Sequence, residues 1–300
     1  DLESAWFGDA VTALNALHPP SLLALTAILH VAEALLMRLQ GTKLAVPLYM
    51  EGKRGKLIGA YQMQGFWPAP LFLMVPAANG GLEAAWTPWF GAAGGWDGGW
   101  ALLAFPVLFG YADATAGLMP REKLGRLSNR LLAYSVVVLA AALFSEQYGW
   151  LVIPTAVLLI LMHEAIGVLS RFEEQTRAPR FVNDARGLCV LAVAPGGPAD
   201  ELGIRVGEIV HRVNGVPVYS KAGLHRALRL NAAFVKLEVL NLQGEKKFLQ
   251  RALYEKEHHL LGMIVAPDNS AQYYVERRQL RLWSYLAARL PGTRWSGGAA

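Results

Sequence analysis

Lysine and arginine are absent from three long stretches of this sequence: residues 1–37, 57–120 and 131–170. The cations fall between them, at Arg38, Lys43, Lys53, Arg54 and Lys56, at Arg121, Lys123, Arg126 and Arg130, and then from Arg171 onward. Cysteine is scarcer still. Cys189 stands alone, which excludes an internal disulfide framework, and its strand-like surroundings (LCVLAV) suit a small buried side chain. Charge of either sign is thin, at 17% of residues against 54% hydrophobic, with a mean hydropathy of +0.28. Such a chain is too apolar for a soluble protein of 300 residues. The net charge of +5 is accounted for by the loops and the tail, so nucleic-acid binding is not indicated.

What fills the cation-free stretches is apolar. A membrane-crossing helix needs about 20 mostly apolar residues. Five stretches reach or approach that: 17–37, 66–80, 100–118, 131–146 and 149–169. The second contains Pro68, Pro70 and Pro76 and is expected to be kinked or re-entrant. The last two are close enough for a tight helical hairpin. Cationic loops alternate with uncharged ones as five spans require, placing the C-terminal half in the cytoplasm and Asp1 outside. A chain opening on Asp1 rather than Met is expected to lack an N-terminal segment; one more span would bring both ends inside. The loop at 81–99 carries Trp86, Trp89 and Trp96, with Trp100 following, and is expected at the outer membrane boundary. Glu33 and His30 in the first span and Asp113 in the third are expected to face the bundle interior and pair with one another.

After residue 171 the chain turns polar. Leu188–Val193 reads as a strand, followed by a Pro-Gly-Gly-Pro turn, a short helix at Ala199–Leu202 and a left-handed cap at Gly203. A second strand, Glu208–Val213, meets the hairpin turn Asn214-Gly215. Ser220 is a natural N-cap for a helix to Leu230, and strands at Val235–Leu240 and Lys247–Leu253 join at Gln243-Gly244.

The stretch VAPGGPADELGIRVGEIVHRVNGVPV resembles the signature of bacterial PDZ domains of the circularly permuted type found in HtrA and site-2 proteases. That resemblance covers residues 183–268 and implies a small β-barrel or sandwich with two helices. PDZ domains capture peptides by strand addition, with a backbone nest for the terminal carboxylate. In the permuted type the groove strand comes last, and Leu260, Leu261, Gly262, Met263 and Ile264 fit the hydrophobic-glycine-hydrophobic loop that opens it. The opposite wall would be the helix at 220–230. Helical spacing would point Lys221, His225 and Leu228 at the peptide and Leu224 and Ala227 inward. A PDZ fold used only as a docking wall is the alternative.

His163-Glu164 resembles half of a site-2 protease zinc helix, but the position four residues on is Gly167. No later span bearing an aspartate ligand follows the PDZ region. The pair sits near the inner end of its span, Ser170 has no visible triad partners, and no catalytic residue, metal or cofactor is expected.

A multi-span membrane domain (1–170), a linker (171–182), a cytoplasmic PDZ domain (183–268) and a basic tail (269–300), with no protease module, resembles the MinJ family of cell-division topological determinants. The resemblance implies a non-enzymatic membrane adaptor at septum and poles. It also implies as partners a DivIVA-like scaffold, a MinD-like ATPase, and C-terminal or extended peptides in the groove. The competing expectation is an inactive site-2-protease-like protein, or a PDZ sensor in membrane proteolysis. The tail, YYVERRQLRLWSYLAARL, reads as a basic amphipathic helix for either an anionic membrane surface or the PDZ domain itself.

Overall fold

A computed structural model describes residues 18–53, 55–76, 81–83, 99–231, 233–253, 260–268 and 271. The tryptophans expected at the outer boundary before Trp100, and the basic tail, lie outside these residues.

Three helices are long and apolar enough to cross a membrane. The first, α1, is Pro19–Gln40 and opens on proline, whose fixed φ suits a first helical turn. The second, α2, spans Pro120–Gln147 and opens the same way. The third, α3, is Val152–Thr176, entered through a 3₁₀ turn at Gly149–Leu151. Ala27, Ala34, Leu131, Tyr134 and Val138 form the core shared by α1 and α2. The opposite faces stay apolar and open, as with Ile153, Val157, Ile160, Leu161 and Val168 of α3. Such faces suit a hydrocarbon environment. Three of the five expected spans are therefore helices. The cations Arg121, Lys123, Arg126 and Arg130 sit on the first turns of α2 rather than in a loop.

The other two expected spans, 66–80 and 100–118, coincide with strands over 66–76 and 100–115. β1 (Ala45–Glu51), β2 (Leu57–Pro76) and β3 (Trp100–Thr115) form an antiparallel sheet in the order β1-β2-β3. The prolines explain the difference. Pro68, Pro70, Pro76 and Pro106 would each remove a bond from a helix interior. In the ladder, Pro70 lies opposite Pro106. Two residues without N–H groups cannot exchange hydrogen bonds, so theirs is a non-hydrogen-bonded pair. Pro68 and Pro76 share that phase, and on the other side of β2 Pro47 opposite Tyr61 occupies the equivalent one. Each of these prolines thus sits where its missing N–H costs no ladder bond. Gly110 permits the close strand approach: a Cβ there would lie 2.1 Å from the Gly65 carbonyl oxygen.

The C-terminal half folds around a second sheet. Its elements are β4 (Leu188–Val193), α4 (Pro198–Glu201), β5 (Ile209–Val213), β6 (Val216–Pro217), α5 (Lys221–Arg229), β7 (Phe234–Leu240), β8 (Lys246–Ala252) and β9 (Met263–Val265). The strand order is β8-β7-β5-β4-β9, with β6 paired to β5. Asn214 has φ 51° and Gly215 φ 83°, the two positive values that a type I′ hairpin turn demands. The Asn214 side chain fixes the turn further, donating to Ala227 O and accepting from Lys236 N. Ser220 caps α5 by accepting from Gly223 N at 3.0 Å. Val190, Val210, Val213, Leu224, Val235, Leu237, Leu261 and Met263 make the core.

This sheet docks on β1–β2. Tyr61, Phe181, Cys189, Leu191 and Ala266 form one buried cluster. Gly59 N donates to Phe181 O at 2.8 Å, Arg180 N to Ala116 O at 2.8 Å, and the Tyr61 hydroxyl to Leu191 O.

Candidate peptide-binding groove

β9 ends its sheet: it pairs with β4 and, among the described residues, with no other strand. Ala194 N donates to Gly262 O and Ala266 N to Cys189 O, so residues 262 and 266 turn their backbone groups toward β4. Register places Ile264 in the same phase, opposite Ala192. Met263 and Val265, in the alternate phase, direct their N–H and C=O groups to the open edge. That row of groups is the template for an added strand.

The turn ahead of β9 has an unusual backbone. Leu260–Gly262 is a tight turn in which Leu261 (φ 55°) and Gly262 (φ 72°) both have positive φ. Leu261 is fully buried, which anchors a backbone conformation that a leucine adopts only when packing holds it. A Cβ on Gly262 would lie 3.5 Å from Ala194 Cβ and Gly197 Cα, with the chain at its closest.

α5 packs against this turn. Lys221 is exposed and His225 half-buried. Leu224 and Ala227 pack inward as spacing predicts. Leu228, expected to face a peptide, is 5% exposed and joins the core cluster with Leu261 and Met263. Ile264 is 45% exposed between buried Met263 and Val265. The helix start and the strand end are tied together, since Lys221 N donates to Asp268 Oδ2 at 2.9 Å. A cleft of about 1020 Å³ opens beside them, where Tyr219, Pro267 and Asp268 face the β1–β2 turn and the end of α3. An antiparallel peptide on β9 would emerge at that end.

One contributor lies far from the groove in sequence. Tyr49 of β1 donates its hydroxyl to Val265 O at 2.9 Å. Burial and the neighbouring Asp268 carboxylate push its phenol up, so the hydroxyl remains a donor. No motif announces this residue.

His30, Glu33 and Asp113 do not all pair with one another as expected but fall in two separate places. His30 packs on His163 and Tyr134, with ring centroids 5.2 and 5.4 Å away, and Glu33 lines the same small cavity. His163 lies at mid-helix in α3, facing α1, and not at the inner end of its span. Asp113 sits elsewhere, with Lys123. The Lys123 ammonium, 2% exposed, lies 3.4 Å from Asp113 Oδ2 and 3.6 Å from Glu174 Oε2, and donates to Ser170 O at 3.1 Å. Ser170 Oγ donates to Asp113, while the Glu174 carboxylate accepts from Ala116 N, Gly117 N and Thr115 Oγ1. This network joins β3, α2 and α3 just before the chain enters the PDZ-like half. Among the described residues no three His, Cys, Asp or Glu side chains are placed to hold a metal ion.

Residues 190–240 match the family described as PDZ domain. Across a wider stretch the chain is 34% identical over 228 residues, 74% of its length, to the Cell division topological determinant MinJ of Bacillus subtilis. This is a MinJ-like chain with a PDZ domain. It spans about half the length of that relative (55%). It is also 23% identical over 266 residues to the Probable cell division topological determinant MinJ of Lacticaseibacillus paracasei, covering 85% of this chain and 68% of that one. The similarity to MinJ proteins thus extends well beyond the PDZ residues into the apolar half, where the sequence carries no motif of its own.

Proposed function

We propose that this chain is a membrane-anchored adaptor that uses its PDZ groove to recruit or position cell-division proteins of the Min type at septum and poles. The observation that carries the reading is the open β9 edge set between a positive-φ glycine turn and α5, on a chain with three apolar helices. Recruitment needs no chemistry. Holding the groove at the membrane raises its effective concentration toward other membrane-bound proteins. We infer a multi-pass topology with the groove in the cytoplasm, because the cations cluster on that side. On the same reading Leu260, Leu261, Gly262 and Met263 hold a peptide carboxylate, and Ile264, Lys221 and His225 meet its side chains. A DivIVA-like scaffold and a MinD-like ATPase are the proposed partners, as the resemblance of the sequence to the MinJ family implies.

The test is a fluorescent fusion of the intact protein in growing rod-shaped cells. Enrichment at septa and poles that disappears without the polar scaffold is expected. An even membrane distribution would overturn the division role and favour a PDZ sensor linked to membrane proteolysis.

A further inference from the structure

We propose that Tyr49 is a gate built into the peptide groove: its hydroxyl occupies the backbone acceptor that a bound peptide's third-from-last residue needs. The proposal rests on the groove reading above and deepens it.

The geometry of β9 carries it. Only Met263 and Val265 turn their backbone groups outward, two residues apart. A strand added antiparallel to β9, ending at the 260–262 turn, bonds first with Met263 and then, two residues upstream, with Val265. Val265 O is therefore the acceptor for the N–H of the antepenultimate peptide residue. In this structure that oxygen accepts from the Tyr49 hydroxyl at 2.9 Å. The tyrosine does not belong to the PDZ half. It lies on β1, opposite Gly59 of β2, and Gly59 in turn donates to Phe181 O on the linker. The contact that blocks the groove is thus one of those that dock the PDZ half on the membrane-side sheet, with Tyr61 to Leu191 O beside it.

The antepenultimate N–H of a bound peptide reaches Val265 O only by displacing the Tyr49 hydroxyl, so a docked Tyr49 lowers affinity for a peptide that carries that N–H. The antagonism is reciprocal by thermodynamic necessity. Peptide capture and docking of the PDZ half on β1–β2 then compete at one oxygen atom. A carbonyl has a second lone pair, but Val265 O points to the open edge, so the Tyr49 hydroxyl and the peptide must reach it from the same side.

The experiment uses the full chain in lipid nanodiscs and an octapeptide selected against it from a random C-terminal library. Its partner probe is the same octapeptide with an ester oxygen replacing the antepenultimate N–H. On the native chain the two should bind within about twofold, because the acceptor is already taken. On the Tyr49→Phe chain the amide peptide should bind threefold to tenfold tighter than on the native chain, the range a single hydrogen bond supplies. The ester should bind both chains alike. Equal gains for amide and ester would make Tyr49 a merely structural neighbour and overturn the gate. So would a native chain that prefers the amide severalfold, with no gain in Tyr49→Phe. If Gly262→Leu abolishes binding while Tyr49→Phe changes nothing, the gate fails and the groove stands. If no library peptide binds either chain, both readings fail.

Discussion

Replacing Lys123 with methionine is expected to be among the most damaging single changes in the membrane half. The side chain is 2% exposed and lies within 3.6 Å of two carboxylates. Methionine keeps most of the volume and removes the charge. It leaves Asp113 and Glu174 buried together, and the Ser170 carbonyl loses its donor. Breaking a buried ion pair from one side costs about 3–5 kcal/mol, mostly through the stranded partner charge. At about 2–4 °C per kcal/mol for a chain of this order, the midpoint of thermal unfolding should fall by roughly 6–20 °C. The assay is heating of a fluorescent fusion in detergent, followed by size-exclusion recovery of the folded peak. The second arm is Glu174→Gln. The amide oxygen can still accept from Ala116 N and Gly117 N, so that change alone should cost less. In the double variant one stranded charge is gone, and its loss should be smaller than the sum of the single losses. A drop below 2 °C for Lys123→Met, or strict additivity in the double variant, would refute the account of this cluster.

Three other outcomes follow from the PDZ half. Gly262→Leu puts a side chain on a residue with φ 72° at ordinary contact distance from Ala194 and Gly197; the fold should survive a strain of about 1–2 kcal/mol while titration with the library octapeptide shows at least a tenfold loss of affinity. Unchanged affinity would move the groove elsewhere. Asn214→Ala removes two side-chain hydrogen bonds from a turn that also needs positive φ, so its urea-unfolding cost, about 2–3 kcal/mol, should exceed the ~1 kcal/mol of the cap variant Ser220→Ala; the reverse order would contradict the turn assignment. Burial pushes the Cys189 thiol up to about 11 from 9.0. At pH 8 its thiolate fraction is then about a hundredfold lower than in the unfolded chain, and iodoacetamide labelling should be slower by at least that factor. The sign also applies to stability. A group whose proton is held more tightly in the folded state stabilises fully below pH 9, and that contribution is lost as pH rises from 9 toward 11. Cys189→Ala should flatten the slope in that window.

Local chemistry made the PDZ half legible. Asn214-Gly215, the Ser220 cap and Gly203 each demand a particular backbone, and neighbouring residues satisfy it without help from afar. The apolar half was legible only where composition and helix geometry agree. The stretches read at 17–37, 131–146 and 149–169 have no interior cation and few breakers, and helices lie at Pro19–Gln40, Pro120–Gln147 and Val152–Thr176. Residues 66–80 and 100–118 are equally apolar, and hydropathy alone did not separate them. The signal that separates them, read in the sequence only as a kink, is the even spacing of Pro68, Pro70 and Pro76, a period of two rather than 3.6, with Pro106 to match. Asp113 could not be paired from sequence: its partner Lys123 looks like a topology-setting loop cation until α2 folds back over it. Tyr49 was invisible for a related reason. Its role depends on how two sheets dock, and no local pattern encodes that.

On the proposed reading, in which the protein gathers at one place in a membrane, the prolines of β2 and β3 have a consequence. Among the described residues, β2 beyond Met63 and β3 beyond Trp100 have unpaired outer edges, and such an apolar ribbon invites its neighbours to zip onto it, copy after copy. Pro68, Pro70, Pro76 and Pro106 remove outward donors along those edges, so a second ribbon would find gaps where it needs hydrogen bonds. On that reading, many copies crowd into a small patch of membrane and still drift apart again.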